Sequence, residues 1–345
     1  MNRSAATALE VVLPGVVEPD GLQLRHRVLP APVAGQVLVA VEATGVSFAE
    51  QSMRRDRYFG QPAFPFVPGY DLVGTVAELG NGVDPDLLGQ RVAVLTKTGG
   101  WASHVLLPAR DLVVVPPGLD PAEVETLVVN GITAWQMLHR KARVRPGQTI
   151  FVHGASGGVG TTLVQLARHA GIEVIGAASP RHHPALQALG VQTVDYRDPD
   201  LAATVRRLAP GGVDAVFDHL GVASFQHSYS MLAPGGALIG YAILNDVAAG
   251  GSLLPAFVRA LSQLLWWNVL PNGHTAGFYN VWSGHALRPA AFRRRFNQDL
   301  TQVLGLLADG VLTPQIAARM PLAAAGEALA LAESRTVFGK IVLVP

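Results

Sequence analysis

The residues Ile150-Phe151-Val152-His153-Gly154-Ala155-Ser156-Gly157-Gly158-Val159-Gly160 decide the fold of this chain. An apolar, β-branched run leads into a glycine-rich turn. Thr161-Thr162-Leu163-Val164-Gln165-Leu166-Ala167-Arg168 then continues with apolar residues at helical spacing. The predicted structure is strand, turn, helix. A strand that passes through glycines into a helix points backbone N–H groups at the positive end of that helix, where a phosphate is held. A side chain in the turn would obstruct the bend, the approach of a pyrophosphate, or the packing of helix on strand. Ala155 stands where the G-x-G-x-x-G pattern has its first glycine, and Gly157 and Gly160 hold the other two places.

Toward the C-terminus, strand and helix alternate. Glu173 to Ala177 is followed by a helix from Pro184 to Leu189, and Thr193-Val194 by Leu201 to Leu208. Asp214 to Phe217 precedes a helix reaching Leu232, and Ala237 to Tyr241 is again a strand. This alternation predicts a parallel, doubly wound sheet. Toward the N-terminus the pattern is different. Val37–Val41, Leu72–Val76, Arg91–Leu95 and Leu112–Val115 are short β runs set between Gly and Pro, as in a turn-rich, mostly antiparallel domain. A helical stretch from Pro121 to Arg140 joins the two modes. A helix from Pro289 to Ala308, the segment Pro314 to Met320 and a last strand Lys340 to Val344 are expected to return to the first domain.

A chain of 345 residues points to two domains. With 49% apolar and 15% charged residues it has the means for a large core and none of the marks of disorder. The net charge of +1 gives no sign of a nucleic-acid partner, and Arg293-Arg294-Arg295 reads as one solvated helix face. The absence of cysteine excludes disulfides, thiol nucleophiles and zinc sites built on Cys. Met1 to Ala8 lacks the apolar stretch of a signal peptide. Leu253 to Leu270, interrupted by Pro255, Arg259 and Gln263 and closed by Pro271, reads as a buried or interface helix rather than a membrane span. A cytoplasmic protein without a membrane partner is the expectation.

The end of the second strand of the doubly wound part separates NAD from NADP. An acid there would bind the ribose 2′-hydroxyl and repel a 2′-phosphate. The chain reads Ala177-Ala178-Ser179-Pro180-Arg181-His182-His183, without an acid, and Glu173 is at the wrong end of the strand. Ser179 offers a hydroxyl and Arg181 a guanidinium for a phosphate, so NADPH is the expected cofactor.

With these motifs in place, the chain from about residue 30 onward resembles the zinc-independent, quinone oxidoreductase-like branch of the medium-chain dehydrogenase/reductases. The resemblance is carried by Gly45-Val46-Ser47-Phe48-Ala49-Glu50 with Tyr58, Pro65 to Gly74, Asn130-Gly131-Ile132-Thr133-Ala134-Trp135, the glycine turn, Gly235 to Tyr241 and Gly339 to Leu343. It implies an α/β protein: a GroES-like β-rich barrel domain (1–122 and 286–345) plus a Rossmann domain with a doubly wound parallel sheet (123–285), with a cleft between them. Zinc-dependent relatives carry Gly-His-Glu where this chain has Gly69-Tyr70-Asp71, so no metal site is expected. For the cofactor, the resemblance implies contacts from Thr133, from Ser156, Gly157, Gly158 and Val159, and from Ser179 and Tyr196. It also implies strand-end contacts from Gly221, Tyr241 and Ala242. A lysine often found four places after the serine is His183 here, with Arg181 nearby. Ser47 replaces an asparagine common in relatives, and Glu50 an aspartate, which leaves the hydride acceptor open.

Without zinc, the donor to a developing oxyanion must be a hydroxyl, amide, water or backbone group. Tyr58 and Ser47 are the candidate catalytic residues, and Tyr70 and Tyr241 are reserves. A quinone or α,β-unsaturated carbonyl suits such a site, because its negative charge is delocalised. The alternatives are an NADPH-binding redox sensor or structural protein with little turnover, and a tailoring enoyl or keto reductase of a biosynthetic pathway. The other histidines, His219 among them, show no ligand spacing and read as polar core or surface. In relatives, a strand at the place of Phe278–Trp282 pairs across a twofold axis, so a homodimer is expected, with the Trp-rich stretch 264–282 at the interface or over the cleft.

Overall fold

The computed structural model describes residues 6–248 and 253–345. The first five residues of the stretch read for a signal peptide lie outside them. The chain divides into two compact units, one of Met1–Asn130 with Arg293–Pro345 and one of Gly131–Phe292. Each division falls inside a helix: Pro121–Trp135, whose first N–H groups are capped by the Asp120 carboxylate, and Pro289–Ala308.

The second unit is the doubly wound one. Its strands are β1 (Thr149–His153), β2 (Glu173–Ala178), β3 (Gln192–Asp195), β4 (Val213–Asp218), β5 (Leu232–Gly240) and β6 (Thr275–Phe278). They lie in the order β3-β2-β1-β4-β5-β6, with every neighbouring pair parallel. The helices are α1 (Gly158–His169), α2 (His183–Ala188), α3 (Leu201–Leu208), α4 (Val222–Ser230), α5 (Leu244–Ala248) and α6 (Leu253–Val269). Both faces of a parallel sheet are covered, so its strands are apolar throughout rather than alternating. Phe151, Val216 and Leu238 accordingly share a core with Phe225 of α4 and with Ala260, Leu264 and Trp267 of α6. Each large side chain removed from water here contributes about 2–3 kcal/mol.

Helix α1 shows how local chemistry sets the ends of an element. Leu163, Val164, Leu166 and Ala167 are buried, and Arg168 and His169 meet the negative end of the helix. Gly171, at φ +70°, closes it. Its N–H reaches the Arg168 carbonyl and that of Ile172 the Ala167 carbonyl, a Schellman closure.

The first unit is built on a seven-stranded sheet. Its central strand, Gln36–Val46, runs antiparallel to Asp71–Leu79, to His104–Pro108 and to the final strand Lys340–Val344. The last of these pairs Val342 with Gly45, so the C-terminal strand does return to the first unit. Val37, Val39 and Val41 alternate inward against Leu72, Val76, Val92 and Val94. Outside this sheet, Thr7–Val12 pairs with the exposed Gln23–Val28, and Arg25 and Arg27 both bind the buried Glu10 carboxylate.

Two local expectations change. The strand read at Phe278–Trp282 lies at Thr275–Phe278. Asn280 ends it, because its side-chain oxygen accepts from the Trp282 N–H at 2.9 Å, and this turn outcompetes further pairing. The apolar alternation there reflects the burial of Tyr279 and Val281. The helix expected to continue to Arg140 becomes π-helical over Gln136–Ala142 and ends at Arg143, in the left-handed region at φ 55°.

Candidate cofactor and active site

In the second unit, strand order reverses between β1 and β4, and ligands of doubly wound sheets bind outside the strand ends at such a point. The turn after β1 begins there. Gly154 takes φ +61°, and a Cβ on it would run into the His219 ring, which follows β4. Gly160 faces the backbone of Gly154 and Ala155 so closely that a methyl has no room. Gly154 thus supplies the tight bend, which makes Ala155 acceptable in the first place of the pattern. Gly157 caps α1 and has only ordinary contact distance around its missing Cβ, 3.4 Å to the Gly154 carbonyl oxygen. The first N–H groups of a helix lack intrahelical partners. The Gly157 N–H is spent on the Gly154 carbonyl at 3.0 Å, so the N–H groups of Ser156, Gly158 and Val159 form the cradle of donors at the helix start, which fits a pyrophosphate.

The other cofactor candidates, Thr133 apart, lie at the same, C-terminal, end of the sheet. Ser179 follows β2 directly, Arg181 is exposed, and the His183 ring lies 3.2 Å from the Ala178 carbonyl oxygen. Tyr196 follows β3, its N–H bound to the Ala178 carbonyl and its exposed ring lying under the Arg197 guanidinium. Partial burial, helped by the neighbouring Arg181 and His183, holds the His182 imidazole below its usual range. The carboxylate beyond, Asp195, is bound to Arg197. This end of the sheet thus presents a hydroxyl, an exposed guanidinium and two imidazoles, with the nearby Asp195 carboxylate bound to Arg197.

Gly221, Tyr241 and Ala242 follow β4 and β5. The Asp246 carboxylate fills the space a side chain on Gly221 would need, and it accepts from the Val222 N–H at 3.3 Å. Tyr241 is bound through its N–H to the Asp218 carbonyl, and its hydroxyl lies 3.5 Å from His219 Nδ1. Burial, with the Asp218 charge nearby, pushes the Tyr241 phenol well up. Thr133 is buried on the helix Pro121–Trp135.

Sequence reasoning missed a buried group beneath this end of the sheet. Asp218 accepts from the Ser228 hydroxyl at 2.6 Å and from the Leu220 N–H at 2.7 Å. Ser228 spends its only proton on Asp218, so His153 Nε2–H, 2.9 Å away, donates to Ser228. Burial depresses the His153 imidazole and keeps it neutral. The residue types are those of a hydrolytic triad, but the serine donates to the acid and all three side chains are sealed in. The group anchors the ends of β1 and β4. The only sequence signal for it was polar residues closing apolar strands.

In the first unit, Tyr58 and Tyr70 meet hydroxyl to hydroxyl at 2.6 Å, their rings edge to face. Tyr70 is buried and Tyr58 half-buried. Burial pushes the Tyr58 phenol up to about 12; the Tyr70 hydrogen bond pulls against this and the Glu50 charge adds to it. Tyr58 therefore stays protonated, as a donor must. Ser47 behaves differently. Its hydroxyl caps the helix Phe48–Met53, accepting from the Ala49 N–H and donating to Glu50, whose carboxylate also accepts from the Ser47 N–H at 2.8 Å. That use of its single proton leaves Ser47 none for another acceptor, whereas in the Tyr58–Tyr70 pair either hydroxyl can be the donor. The S-x-x-E spacing is the capping signal that the sequence carried.

Beside this lies a buried ionic group. Lys340 Nζ reaches Glu125 at 2.8 Å and Asp71 at 3.2 Å, and Asp71 also accepts from the Val129 N–H. Burial opposes the lysine's charge, but the two carboxylates overcome it and hold Lys340 above its usual range. Burial likewise lifts Glu125, against the pull of Lys340. A Cβ on Gly45 would overlap Lys340 and Glu125, which gives that glycine its physical reason.

Zinc does not fit these residues. Tyr70 is engaged with Tyr58, Asp71 is held by Lys340, and the chain has no thiolate to offer.

Residues 33–117 match the family described as alcohol dehydrogenase GroES-like domain, and residues 189–343 the family described as zinc-binding dehydrogenase. The rat synaptic vesicle membrane protein VAT-1 homolog is 31% identical over 335 residues, 94% of this chain and 80% of that protein. The mycobacterial Rv1454c complexed with NADPH superposes with a TM-score of 0.82 at 26% identity, over 98% of this chain and 100% of the other. A structure described as a mycobacterial quinone oxidoreductase gives a TM-score of 0.78 at 26% identity, over 98% and 100%. No helix among the described residues is long and apolar enough to cross a membrane. On the two domain matches, the likeness over nearly the whole chain, and the cradle at the switch point, the chain belongs to the quinone oxidoreductase-like family of medium-chain dehydrogenase/reductases.

Proposed function

We propose that this protein is an NADPH-dependent reductase of quinones or α,β-unsaturated carbonyls. The observation that carries the reading is the end of β2. Ser179, Arg181 and His183 gather there, and no acid follows the strand to take a ribose 2′-hydroxyl. The backbone of Ser156–Val159 would hold the pyrophosphate, Ser179 and Arg181 the 2′-phosphate, and Tyr196 the adenosine side. Thr133, Gly221, Tyr241 and Ala242 would line the rest of the cofactor. When bound, the dihydronicotinamide supplies the hydride. The chain's own task is to orient the acceptor and stabilise charge on its oxygen. Tyr58, kept protonated and braced by Tyr70, is the donor for that oxygen. A delocalised enolate or quinol anion needs no stronger electrophile than a phenol hydrogen bond.

The test is a comparison of NADPH and NADH binding by wild type and Arg181→Ala, followed by NADPH oxidation with 1,4-naphthoquinone and 2-alkenals. Wild type should prefer NADPH by at least about tenfold, and the variant should lose most of that preference, since a charge-assisted bond to phosphate is worth about 1.5–3 kcal/mol. Equal affinity for both cofactors in the wild type would remove the phosphate argument. Tight NADPH binding without turnover of any acceptor would favour the sensor reading.

The proposed assembly is a homodimer through α6. Leu254, Val258, Leu261, Leu265, Trp266 and Val269 are exposed along one helix, a stripe at three- and four-residue spacing that favours burial against a second copy. Pairing through the β6 edge is less favoured. The Asn268 carboxamide accepts from the Ala276 N–H and donates to its carbonyl, so it occupies part of that strand's hydrogen-bonding edge.

A further inference from the structure

Lys97 follows the strand Arg91–Leu95 with its backbone in the left-handed region at φ +69°. Non-glycine residues hold that conformation at a cost, and such residues gather at functional sites. Here the surrounding bonds enforce it. The N–H groups of Thr96 and Lys97 both donate to the Tyr70 carbonyl, at 2.9 and 3.0 Å, and the Thr96 hydroxyl donates to the Gly69 carbonyl at 2.8 Å. The segment that presents Tyr70 to Tyr58 is thus the one that fixes Lys97.

The Lys97 ammonium lies 5.9 Å from the centre of the Tyr58 ring. Gly60 faces it, and a Cβ at Gly60 would come within 3.3 Å of Nζ, so a side chain there would crowd the ammonium. The carboxylates of this region are committed elsewhere. Asp56 accepts from Gln61 at 2.9 Å, Glu50 is held by Ser47, and Asp71 by Lys340. No carboxylate among the described residues pairs with Lys97. Its chemistry at this tyrosine is therefore a half-buried positive charge, on a backbone held in place, against an aromatic face.

We infer that Lys97 is a specificity-determining residue that selects conjugated carbonyl substrates carrying a carboxylate, its ammonium pairing with that carboxylate while the Tyr58 hydroxyl donates to the carbonyl oxygen. The inference rests on the reading of Tyr58 as the donor to the acceptor. It narrows the substrate class from neutral quinones and enones to anionic enones.

The experiment compares trans-4-oxo-2-pentenoate with its methyl ester as NADPH-dependent substrates of wild type, Lys97→Met and Lys97→Arg. Methionine keeps the length and the contact with the Tyr58 ring while removing the charge. Wild type should favour the acid by at least tenfold in kcat/KM. Lys97→Met should lose most of that ratio through the KM of the acid, and Lys97→Arg should keep it. A wild type indifferent to the charge, or an unchanged ratio in Lys97→Met, overturns the inference. The same ratio is read without turnover, from calorimetric titration of NADP⁺-loaded protein with 4-oxopentanoate and its methyl ester. If neither enone is reduced but the acid still binds tenfold more tightly through Lys97, the reductase reading fails and the anion site stands. If acid and ester bind alike, the anion site fails whatever the turnover.

Discussion

At the scale of single residues, Glu50 shows how one side chain serves helix and site together. It completes the capping box with Ser47, yet it is buried and its Oε1 has no hydrogen-bond partner among the described residues. Burial raises its carboxyl above the usual 4.5; the Ser47 hydrogen bond opposes this and the Asp71 charge adds to it. A group with a raised folded-state pKa binds its proton more tightly when folded. Its stabilising contribution is full below the unfolded pKa and is lost as pH rises through the folded value. Glu50→Gln keeps an acceptor for the Ser47 N–H and removes the charge. Thermal unfolding should show the variant level with wild type near pH 4 and more stable at pH 8, by about 1 kcal/mol or more. A difference that does not change with pH would remove the titration argument. In sequence, Glu50 was legible as a departure from the aspartate of relatives. That it is sealed from water was not, because Asp71 and the Tyr58–Tyr70 pair approach it from distant parts of the chain.

At the scale of elements, the glycine turn divides its labour between fold and ligand. Gly154 and Gly160 are required by the protein's own atoms, whereas Gly157 is not. Gly157→Ala should therefore leave unfolding free energy within about 1 kcal/mol of wild type, since the loss is that of a modest cap change. On the proposed cofactor reading it should weaken NADPH binding at least tenfold, because the methyl would stand where the backbone cradle is proposed to take the pyrophosphate. Gly154→Ala should cost about 2–4 kcal/mol of stability, from a left-handed alanine and overlap with His219. Equal loss of stability in both variants, followed by thermal unfolding and NADPH titration, would show that the whole turn is structural. The strand–turn–helix reading was available from residue pattern alone. The pairing of Gly154 with His219 was not, since it joins the ends of two strands separated by two intervening βα units. The strand at Phe278–Trp282 was misplaced for a similar reason: burial and strand pairing leave the same alternation, and the Asn280 turn decided between them.

At the scale of the whole molecule, the proposed assembly is testable at α6. An exposed apolar stripe on an otherwise well-covered unit is stabilised by burial against a second copy at about 25 cal/mol per Å². Leu265→Glu, at a position 67% exposed, places a carboxylate in that face without disturbing the core beneath. Sedimentation velocity should show wild type as a dimer and the variant as a monomer of unchanged helicity. A monomeric wild type, or a variant that stays dimeric, would sink the assignment.

The sequence by itself determined the doubly wound unit, the glycine turn that opens its first helix, the return of the last strand to the first unit, and the lack of a thiolate for zinc. These follow from periodicity, glycine placement and residue type, all properties of short stretches of chain. Tertiary structure alone decided that Tyr58 is braced by Tyr70, that Lys340 holds Asp71 and Glu125, and that the Lys97 ammonium lies over the Tyr58 ring. Each depends on hydrogen bonds or charges brought together from distant positions, where burial sets their worth, and no local pattern in the chain encodes that meeting.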